Sequence, residues 1–528
     1  MDYKKISAYF IPSISDVLFA VLLVALFLTG SGLLGDGDTG YHIRTGQIIL
    51  DTLSVPRLDP YSYLTPALPW TAHEWLSEVI MAGVHGVLGL TGVVLLFVLL
   101  IAVTYAYLYK SLRAQHGNLW LLLFVILLVM SSSTLHWLAR PHIFSLLFLV
   151  IFYDLLDRFQ YENKNYLYLL PLIMLLWVNL HGGFIIGLIL LGVYFLGNLI
   201  YWFQTQPGKR ENYFERCKII GLVGLSCLLV SLINPYGFHL LLFPFKLVGD
   251  HFIMSVINEF MPTNLQIPRP YNLYLLLTFA ILMLSRHRVN FIELILIILF
   301  VYMSLYSVRY ITFFAIIAAP IILKRMDGFF RETENKIVRF LNRRSDSIAA
   351  TDAQTRGCFW PISAFVIVLV LAFAGTVNLS FNPKEKPVKA VEFLQKEHIT
   401  GNMFNNDEFG DYLIYASFPK YKVFIDGRGD MYGANLLKDY ICIKNLGAGW
   451  GKRMIKYQIK WVFFSADSIL SRYLQERPDW HLIYADKVAH IYVRDIPQYR
   501  YLIERYRGVR PVVGQFGIHK DFKRGSED

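Results

Sequence analysis

Residues 86–109 read GVLGLTGVVLLFVLLIAVTYAYLY, a run without a single Asp, Glu, Lys or Arg. A helix of about 20 apolar residues can cross the hydrocarbon core of a membrane, where helices satisfy their own backbone hydrogen bonds. This stretch therefore predicts a membrane-spanning helix. The composition agrees, because 55% of the residues are hydrophobic and only 17% are charged, whereas soluble proteins carry about 25% charged residues.

Further apolar runs lie on both sides of this stretch. The first of them lacks an A-x-A-type cleavage site, so we expect it to be retained as a span rather than removed as a signal peptide. The predicted fold is an α-helical polytopic membrane domain over residues 1–380, followed by a small α/β soluble domain over 381–528. About eleven spans are expected, at 16–34, 86–109, 118–135, 143–157, 166–180, 183–203, 218–233, 271–285, 290–306, 309–323 and 358–380.

Positive charges are distributed unevenly between the predicted loops. With the N-terminus in the cytoplasm, the inner loops hold most of the Lys and Arg residues, above all the basic segment 324–357. This asymmetry follows the positive-inside rule. It accounts for much of the net charge of +11, so we expect lipid headgroups rather than nucleic acid as the partner of the basic segment. An odd number of spans places the C-terminal domain outside.

The C-terminal domain alternates short helical and extended patterns. Cys442 is its only cysteine, so no internal disulfide can stabilise it. We expect a terminal hairpin of Trp480–Tyr484 and Ala489–Arg494. The other expected elements are helices at Pro387–Glu397, Asp407–Ala416, Leu436–Asn445, Gly451–Tyr457 and Leu470–Glu476, with extended segments at Gly401–Asn405, Tyr421–Asp426 and Trp461–Ser465.

The richest polar segment is the first outer loop, at about 35–78. Its residues 35–40 match G-x-G-x-x-G, but they follow a membrane span, and Asp36 and Asp38 would repel a pyrophosphate. A calcium loop is incomplete, because Gln47 stands where the closing Glu is needed. Two interpretations stay open. The carboxylates deprotonate a hydroxyl or bind a divalent cation such as Mg²⁺ or Mn²⁺, or they are helix N-caps in a solvated loop.

Other ionisable residues gather on the same predicted side of the membrane. Such groups are costly near membrane depth and usually mark function. Each of these residues also has a structural interpretation. For example, Arg140 can reach lipid headgroups, and His181-Gly182-Gly183 can allow close helix packing. We expect one shared site near the outer membrane surface, and its candidate donor-binding or substrate-binding residues are His42, Arg44, His73, Arg140, His142, His181, Glu259 and Arg309, with Glu74 as a further carboxylate.

A polyprenyl-phosphate sugar donor would suit this arrangement. Its tail lies in lipid and its phosphate at the interface, where arginines bind phosphate through paired hydrogen bonds. Transfer also needs a base for the acceptor hydroxyl and cations for the departing phosphate. Two alternatives stay open: a transporter or flippase of a lipid-linked or anionic substrate, which would place charges inside the spans, and a non-catalytic subunit for envelope assembly.

Several short motifs are distributed along nearly the whole chain. They are DTGYHIRTG (38–46), VPRLDPYS (55–62), HEWL (73–76), RPH (140–142), WVNLHGG (177–183), NPYG (234–237) and VFIDGR (423–428). Together they resemble motifs of a group of bacterial membrane proteins in the GT-C glycosyltransferase superfamily.

The resemblance implies an inverting glycosyltransferase with a polyprenyl-linked donor. It also implies an acidic residue in the first outer loop as base or metal ligand, for which Asp38 is the first candidate, Asp36 the second and Glu74 a further carboxylate. Many members have a simple acidic pair, and Asp-Gly-Asp departs from it, which leaves the base open. The implied location is the bacterial inner membrane with the C-terminal domain in the periplasm, and the implied acceptor is an envelope glycan, lipid or protein.

Overall fold

The computed structural model describes residues 9–514 except 116, 209 and 356. Four basic residues that contribute to the charge pattern, Lys4, Lys5, Lys209 and Arg356, lie outside the described residues. The chain divides into two compact units. The first unit contains Met1–Gly30 and Leu88–Asn378, and the second contains Ser31–Val87 and Leu379–Asp528.

Helices account for almost all regular structure before residue 380. In chain order they are α1 (Ile14–Leu28), α2 (Asp38–Thr52), α3 (Trp75–Gln115), α4 (Leu119–Ser133), α5 (His142–Glu162), α6 (Leu170–Leu180), α7 (Ile185–Gln204), α8 (Glu211–Val230), α9 (Phe238–Gly249), α10 (His251–Val256), α11 (Pro270–Leu284), α12 (Phe291–Tyr306), α13 (Ile311–Glu332), α14 (Lys336–Asp352) and α15 (Phe359–Phe373). The backbone of α3 is kinked at Gly89, where φ is 58° and ψ is −150°.

A helix occupies each segment that was predicted to span the membrane. Among the described residues, three helical segments are long and apolar enough for a crossing: Trp75–Gln115, Leu119–His136 and Gly182–Gln204. Several other apolar helices contain only 10–17 residues. The expected count of eleven crossings is therefore not confirmed, because most of the remaining helices are shorter than a full crossing.

The C-terminal segment contains the helices and the small sheet that its sequence predicted. Its elements are α16 (Val388–Glu397), β1 (Asn402–Asn405), α17 (Asp407–Ser417), α18 (Gly429–Lys444), α19 (Trp450–Lys456), β2 (Ile459–Ser465), α20 (Ile469–Gln475), β3 (Trp480–Ala485), β4 (Ala489–Arg494) and α21 (Arg500–Arg505). The strand order is β1-β2-β4-β3. β1 pairs parallel with β2, whereas β2 and β3 each pair antiparallel with β4.

The predicted extended segment Tyr421–Asp426 forms no strand of this sheet. The side chain of Asn405 explains the difference, because its amide oxygen accepts the N–H of Phe424 at 2.8 Å and its amide nitrogen donates to the carbonyl of Ile425 at 2.7 Å. The backbone of Val423 instead exchanges hydrogen bonds with Tyr61 and Tyr63. The segment thus joins the first loop to the C-terminal part of the second unit.

Helix α2 packs closely on two other helices of this unit, and two glycines permit the approach. A Cβ atom at Gly46 would lie 1.9 Å from the carbonyl oxygen of Glu78 on α3. A Cβ atom at Gly40 would lie 2.9 Å from the carbonyl oxygen of Asp411 on α17. This packing places residues 31–87 with the C-terminal segment, although the sequence suggested that the first loop belongs to the membrane domain.

Candidate active site

The carboxylates of Asp38 and Asp411 lie against the same glycine. Asp38 is the first residue of α2, and Asp411 is on α17. The backbone N–H of Gly427 donates to Asp411 Oδ1 at 2.8 Å. A Cβ atom at Gly427 would lie 2.1 Å from Asp38 Oδ1 and 2.9 Å from Asp411 Oδ2. The two carboxylates therefore occupy the space that any larger residue would need.

The surroundings of Asp411 change its acidity. Burial raises the pKa of Asp411 well above its ordinary value, and the charges of Asp38 and Asp426 raise it further. The hydrogen bond from Gly427 opposes this shift but is outweighed. Two carboxylates at one site do not both ionise readily. We assign the retained proton to Asp411, which is 2% exposed.

Asp36 supports the start of α2. Its Oδ1 accepts a hydrogen bond from the backbone N–H of Asp38 at 3.1 Å, but Gly37 occupies the N-cap position of α2, so neither aspartate is the N-cap considered from the sequence. Within the part of the chain that the structure describes, no group of three or more His, Cys, Asp or Glu residues is arranged to hold a metal ion.

A buried arginine joins the first loop to the C-terminal segment. Arg428 Nη2 donates to Asp59 Oδ1 at 2.7 Å and to Asp426 Oδ2 at 2.5 Å, and Arg428 Nε donates to Asp426 Oδ1 at 2.8 Å. Its guanidinium also lies 4.5 Å from the ring centroid of Trp70 and 4.8 Å from that of Tyr61. Carboxylates and aromatic faces together stabilise the buried cation.

The acidity of Asp59 reflects this ion pair. Burial by itself would raise the pKa of Asp59, but the charge of Arg428 and the hydrogen bonds of Ser62, Arg428 and Tyr61 outweigh it, so the pKa is lowered. Burial likewise disfavours the charged form of Arg428, yet Asp426 and its other neighbours hold the pKa of Arg428 well above its ordinary value. Both groups are thus charged at neutral pH.

A histidine on the next turn of α2 connects two further carboxylates. His42 is 1% exposed, and its spacing of four residues from Asp38 places both on one helix face. His42 Nδ1 lies 3.1 Å from Glu78 Oε1, and His42 Nε2 lies 3.5 Å from Glu74 Oε2. His73 Nε2 lies 3.7 Å from the other Glu74 oxygen. The arrangement can hold or pass a proton between the carboxylates.

Arg44 makes contacts that stabilise helix packing. Its Nη2 donates to the carbonyl of Tyr415 at 3.0 Å, and its Nη1 donates to Gln47 Oε1 at 2.9 Å. The Tyr415 carbonyl is among the last of α17, where helix carbonyls lack partners within the helix. The structure therefore gives Arg44 a structural role that the sequence did not predict, and its binding of a donor phosphate stays a prediction.

The first unit contains a second polar cluster, made of residues from several loops. Arg140 Nη1 forms an ion pair with Glu259 Oε1. Arg309 Nη2 lies 3.3 Å from His181 Nε2, and the other ring nitrogen of His181 lies 2.6 Å from Ser145 Oγ. Burial would raise the pKa of Glu259, but Arg140 and Arg309 outweigh it and lower the pKa. Two arginines thus surround one ionised carboxylate.

His142 completes this cluster. Its ring centroid lies 6.4 Å from that of His181, and its Nε2 lies 2.7 Å from the carbonyl oxygen of His136. His136 Nε2 in turn lies 2.9 Å from the carbonyl oxygen of Val308. The structure therefore brings together all five candidates of the later loops: Arg140, His142, His181, Glu259 and Arg309.

The sequence-predicted residues thus form two sets. Asp36, Asp38, His42, Arg44, His73 and Glu74 belong to the second unit, and the five residues of the later loops belong to the first. The convergence of both sets on one phosphate stays a prediction. Sequence reasoning missed the proximity of Asp411 to Asp38 and did not single out Glu78, His136 and Ser145, since a local pattern does not show which distant residues will meet. Asp59 and Arg428 belong to two of the sequence motifs, but the sequence does not show that they form an ion pair.

Comparisons with known proteins identify the fold. No family model matches the sequence, and no curated protein matches it. The oligosaccharyltransferase of Archaeoglobus fulgidus in its apo form has a TM-score of 0.54 and 12% identity, covering 92% of this chain and 74% of that chain. The archaeal oligosaccharyltransferase AglB from the same organism, in complex with an inhibitory peptide and a dolichol-phosphate, also has a TM-score of 0.54 and 12% identity, covering 91% and 75%.

A third structure of the A. fulgidus enzyme, tethered to an acceptor peptide with the NVT sequon, has a TM-score of 0.51 and 12% identity, covering 85% of this chain and 69% of that chain. The likeness extends over both units of the chain. The GT-C fold expected from the sequence motifs is therefore confirmed.

Proposed function

We propose that the protein is a membrane glycosyltransferase that transfers a sugar from a polyprenyl-phosphate donor to an envelope glycan, lipid or protein on the outer side of the bacterial inner membrane. The observation that carries the proposal is the carboxylate pair at Gly427, where Asp38 and Asp411 lie against the same backbone position and burial raises the pKa of Asp411. The GT-C fold adds support, because a structure with the same fold contains a dolichol-phosphate.

Asp38 is the proposed general base. An ionised carboxylate can accept the proton of an acceptor hydroxyl as that oxygen attacks the sugar carbon, and this assistance contributes about 10²–10⁴-fold to such reactions. Asp411 holds its own proton and fixes the position of Asp38. His42 lies one helical turn further along α2 and contacts Glu74 and Glu78, so it can stabilise the site's charge after the proton has moved.

The cluster around Arg309 is the proposed site for the departing phosphate. Its three charged side chains, Arg140, Arg309 and Glu259, sum to one net positive charge. Arg140 is neutralised by its ion pair with Glu259, whereas the hydrogen-bond partner of Arg309 is the imidazole of His181. Arginine binds phosphate oxygens through a planar set of donors, so Arg309 is the residue that we expect to contact the donor phosphate.

Transfer assays test this function directly. Purified wild type and Asp38→Asn would be incubated with a panel of radiolabelled polyprenyl-phosphate sugars and candidate acceptors. We expect the Asn variant to lose about 10²–10⁴-fold in rate, because it cannot accept the proton. Asp51→Asn, at the exposed other end of α2, is the matched control and should keep the wild-type rate.

Wild-type rates from Asp38→Asn would overturn the assignment of the base. Movement of the labelled donor across proteoliposome membranes without any labelled product would instead favour the flippase alternative. An unchanged cell envelope in strains carrying Asp38→Asn or Arg309→Gln would favour the non-catalytic assembly subunit.

A further inference from the structure

The first unit contains a cavity of about 650 Å³ that the proposed reaction does not use. Its walls come from the C-terminal ends of α5 and α13 and the N-terminal end of α12, whereas the cluster around Arg309 lies at the opposite ends of these helices. Arg309 lies two residues before the start of α13, and about 22 Å separate it from the cavity residue Lys324 at 1.5 Å per residue. A volume of this size is typical of small-molecule sites.

The inner wall of this cavity is acidic and aromatic. Asp157 and Glu293 are 8% and 5% exposed, and three tyrosines lie beside them in the lining, Tyr153, Tyr161 and Tyr194. The hydroxyl of Tyr194 donates to Asp157 Oδ1 at 2.8 Å. Glu293 accepts from the buried Arg325 at 2.6 Å. The side chain of Gln115, which also lines the cavity, is a second hydrogen-bond partner of Asp157. Of the two carboxylates, Asp157 is thus the one whose hydrogen-bond partners in this wall, Tyr194 and Gln115, are uncharged.

The rim of the cavity has two exposed basic side chains, and the acidic Glu162 and Asp327 also line the cavity. The side chains of Lys324 and Arg331 are 51% and 59% exposed. Lys324 Nζ lies 3.2 Å from Glu293 Oε1 and 5.3 Å from the ring centroid of Tyr161. Arg331 forms its ion pair with Asp327 of the same helix. The cavity is therefore acidic and aromatic inside and has charged side chains of both signs at its mouth.

We propose that this cavity binds a phosphoethanolamine group, with the ammonium inside and the phosphate at the rim. An ammonium donates to carboxylates and is attracted to aromatic faces, which Asp157 and the tyrosines supply. Lysine and arginine at the mouth suit the phosphate. A simple anion would meet the buried carboxylates, and a simple cation would make no use of Lys324 and Arg331 at the mouth. A zwitterion satisfies both regions.

Two sources could supply this group: the headgroup of phosphatidylethanolamine or free phosphoethanolamine. The full-length protein in a phospholipid-free detergent would be titrated with dioctanoyl phosphatidylethanolamine, dioctanoyl phosphatidylglycerol and phosphoethanolamine, and binding would be followed by calorimetry. We expect phosphatidylethanolamine to bind at least about tenfold more tightly than phosphatidylglycerol, which lacks the ammonium. Binding of the lipid without binding of free phosphoethanolamine identifies the membrane as the source, and comparable binding of both identifies the soluble compound.

Asp157→Asn should remove the preference for phosphatidylethanolamine, because the amide attracts the ammonium less strongly. Tyr194→Phe keeps the carboxylate and should weaken binding by a smaller factor, which provides a second variant if the first does not fold. Glu215→Gln, an exposed carboxylate on α8, is the control and should bind like wild type. Equal affinities of the wild type for the two phospholipids, or an undiminished preference in Asp157→Asn, would overturn the proposal. The readout is binding alone, so it is independent of sugar transfer.

Discussion

At the scale of single residues, the candidate active site depends on where one proton resides. The pKa of Asp411 is raised by burial and by Asp38 and Asp426. In an unfolded chain, Asp titrates near its ordinary pKa of about 3.9. A folded state with a higher pKa is stabilised by protonation, and this contribution is lost as the pH rises from about 4 towards the folded pKa.

Replacing this residue should therefore change the pH dependence of stability. In Asp411→Asn, the amide oxygen can still accept the N–H of Gly427, and no proton is required. We expect the Tm of this variant to exceed that of wild type by an amount that grows between pH 4 and pH 8. A change of 1 kcal/mol in the free energy of unfolding shifts the Tm by about 2–4 °C in a domain of this size. Thermal unfolding in detergent at several pH values measures the difference in Tm.

A constant difference in Tm between Asp411→Asn and wild type across this pH range would contradict the assigned proton. Asp495→Asn serves as the control in the same unit, because its side chain is 64% exposed. Its Tm should follow that of wild type at every pH.

At the scale of elements, the position of Asp38 depends on how closely α2 approaches α3 and α17. The approach is possible because Gly46 and Gly40 have no side chain at the two helix contacts. Arg44 adds a hydrogen bond to the last turn of α17. Packing against both helices therefore orients the start of α2, where Asp38 meets Asp411.

Gly46→Ala should disrupt this packing. The added methyl group would lie 1.9 Å from a backbone oxygen of α3, so the helices must separate, and overpacking of this kind costs about 1–3 kcal/mol. Gly83→Ala is the matched control on α3, since a Cβ atom there meets nothing within 4 Å. Its Tm should stay equal or rise, because alanine favours helix by up to about 1 kcal/mol over glycine.

Thermal unfolding of the two glycine variants, together with transfer assays, distinguishes them. Gly46→Ala should lower both the Tm and the transfer rate, whereas Gly83→Ala should lower neither. A Gly46→Ala variant as stable as wild type would show that α2 does not depend on this close contact.

At the scale of the whole molecule, the second unit is assembled from two distant parts of the chain. Arg428 bonds to Asp59, which is 369 positions earlier in the sequence, and Val423 exchanges backbone hydrogen bonds with the same loop. These contacts hold the loop that contains Asp38 together with the segment that contains Asp411. The candidate base and its partner meet because this unit forms.

Arg428→Met should therefore destabilise the second unit. It leaves Asp59 and Asp426 buried without their cation, and removal of one partner of a buried ion pair costs about 3–5 kcal/mol. We expect a clearly lower Tm and faster proteolysis within residues 31–87. Arg477→Met is the control, because Arg477 pairs with Asp479 at the exposed surface of the same unit. Equal Tm values for Arg428→Met and wild type would show that the buried ion pair does not join the two segments.

The sequence by itself determined the helices, the terminal hairpin and the eleven candidate residues. The structure places these residues in two sets, one in each unit. Hydropathy and alternation act over a few residues, so they can be read along the chain. The pairing of Asp38 with Asp411, of Asp59 with Arg428 and of Arg140 with Glu259 was decided only by the tertiary structure. Each pair joins residues more than a hundred positions apart, and a local pattern contains no information on which distant charge will compensate a buried one.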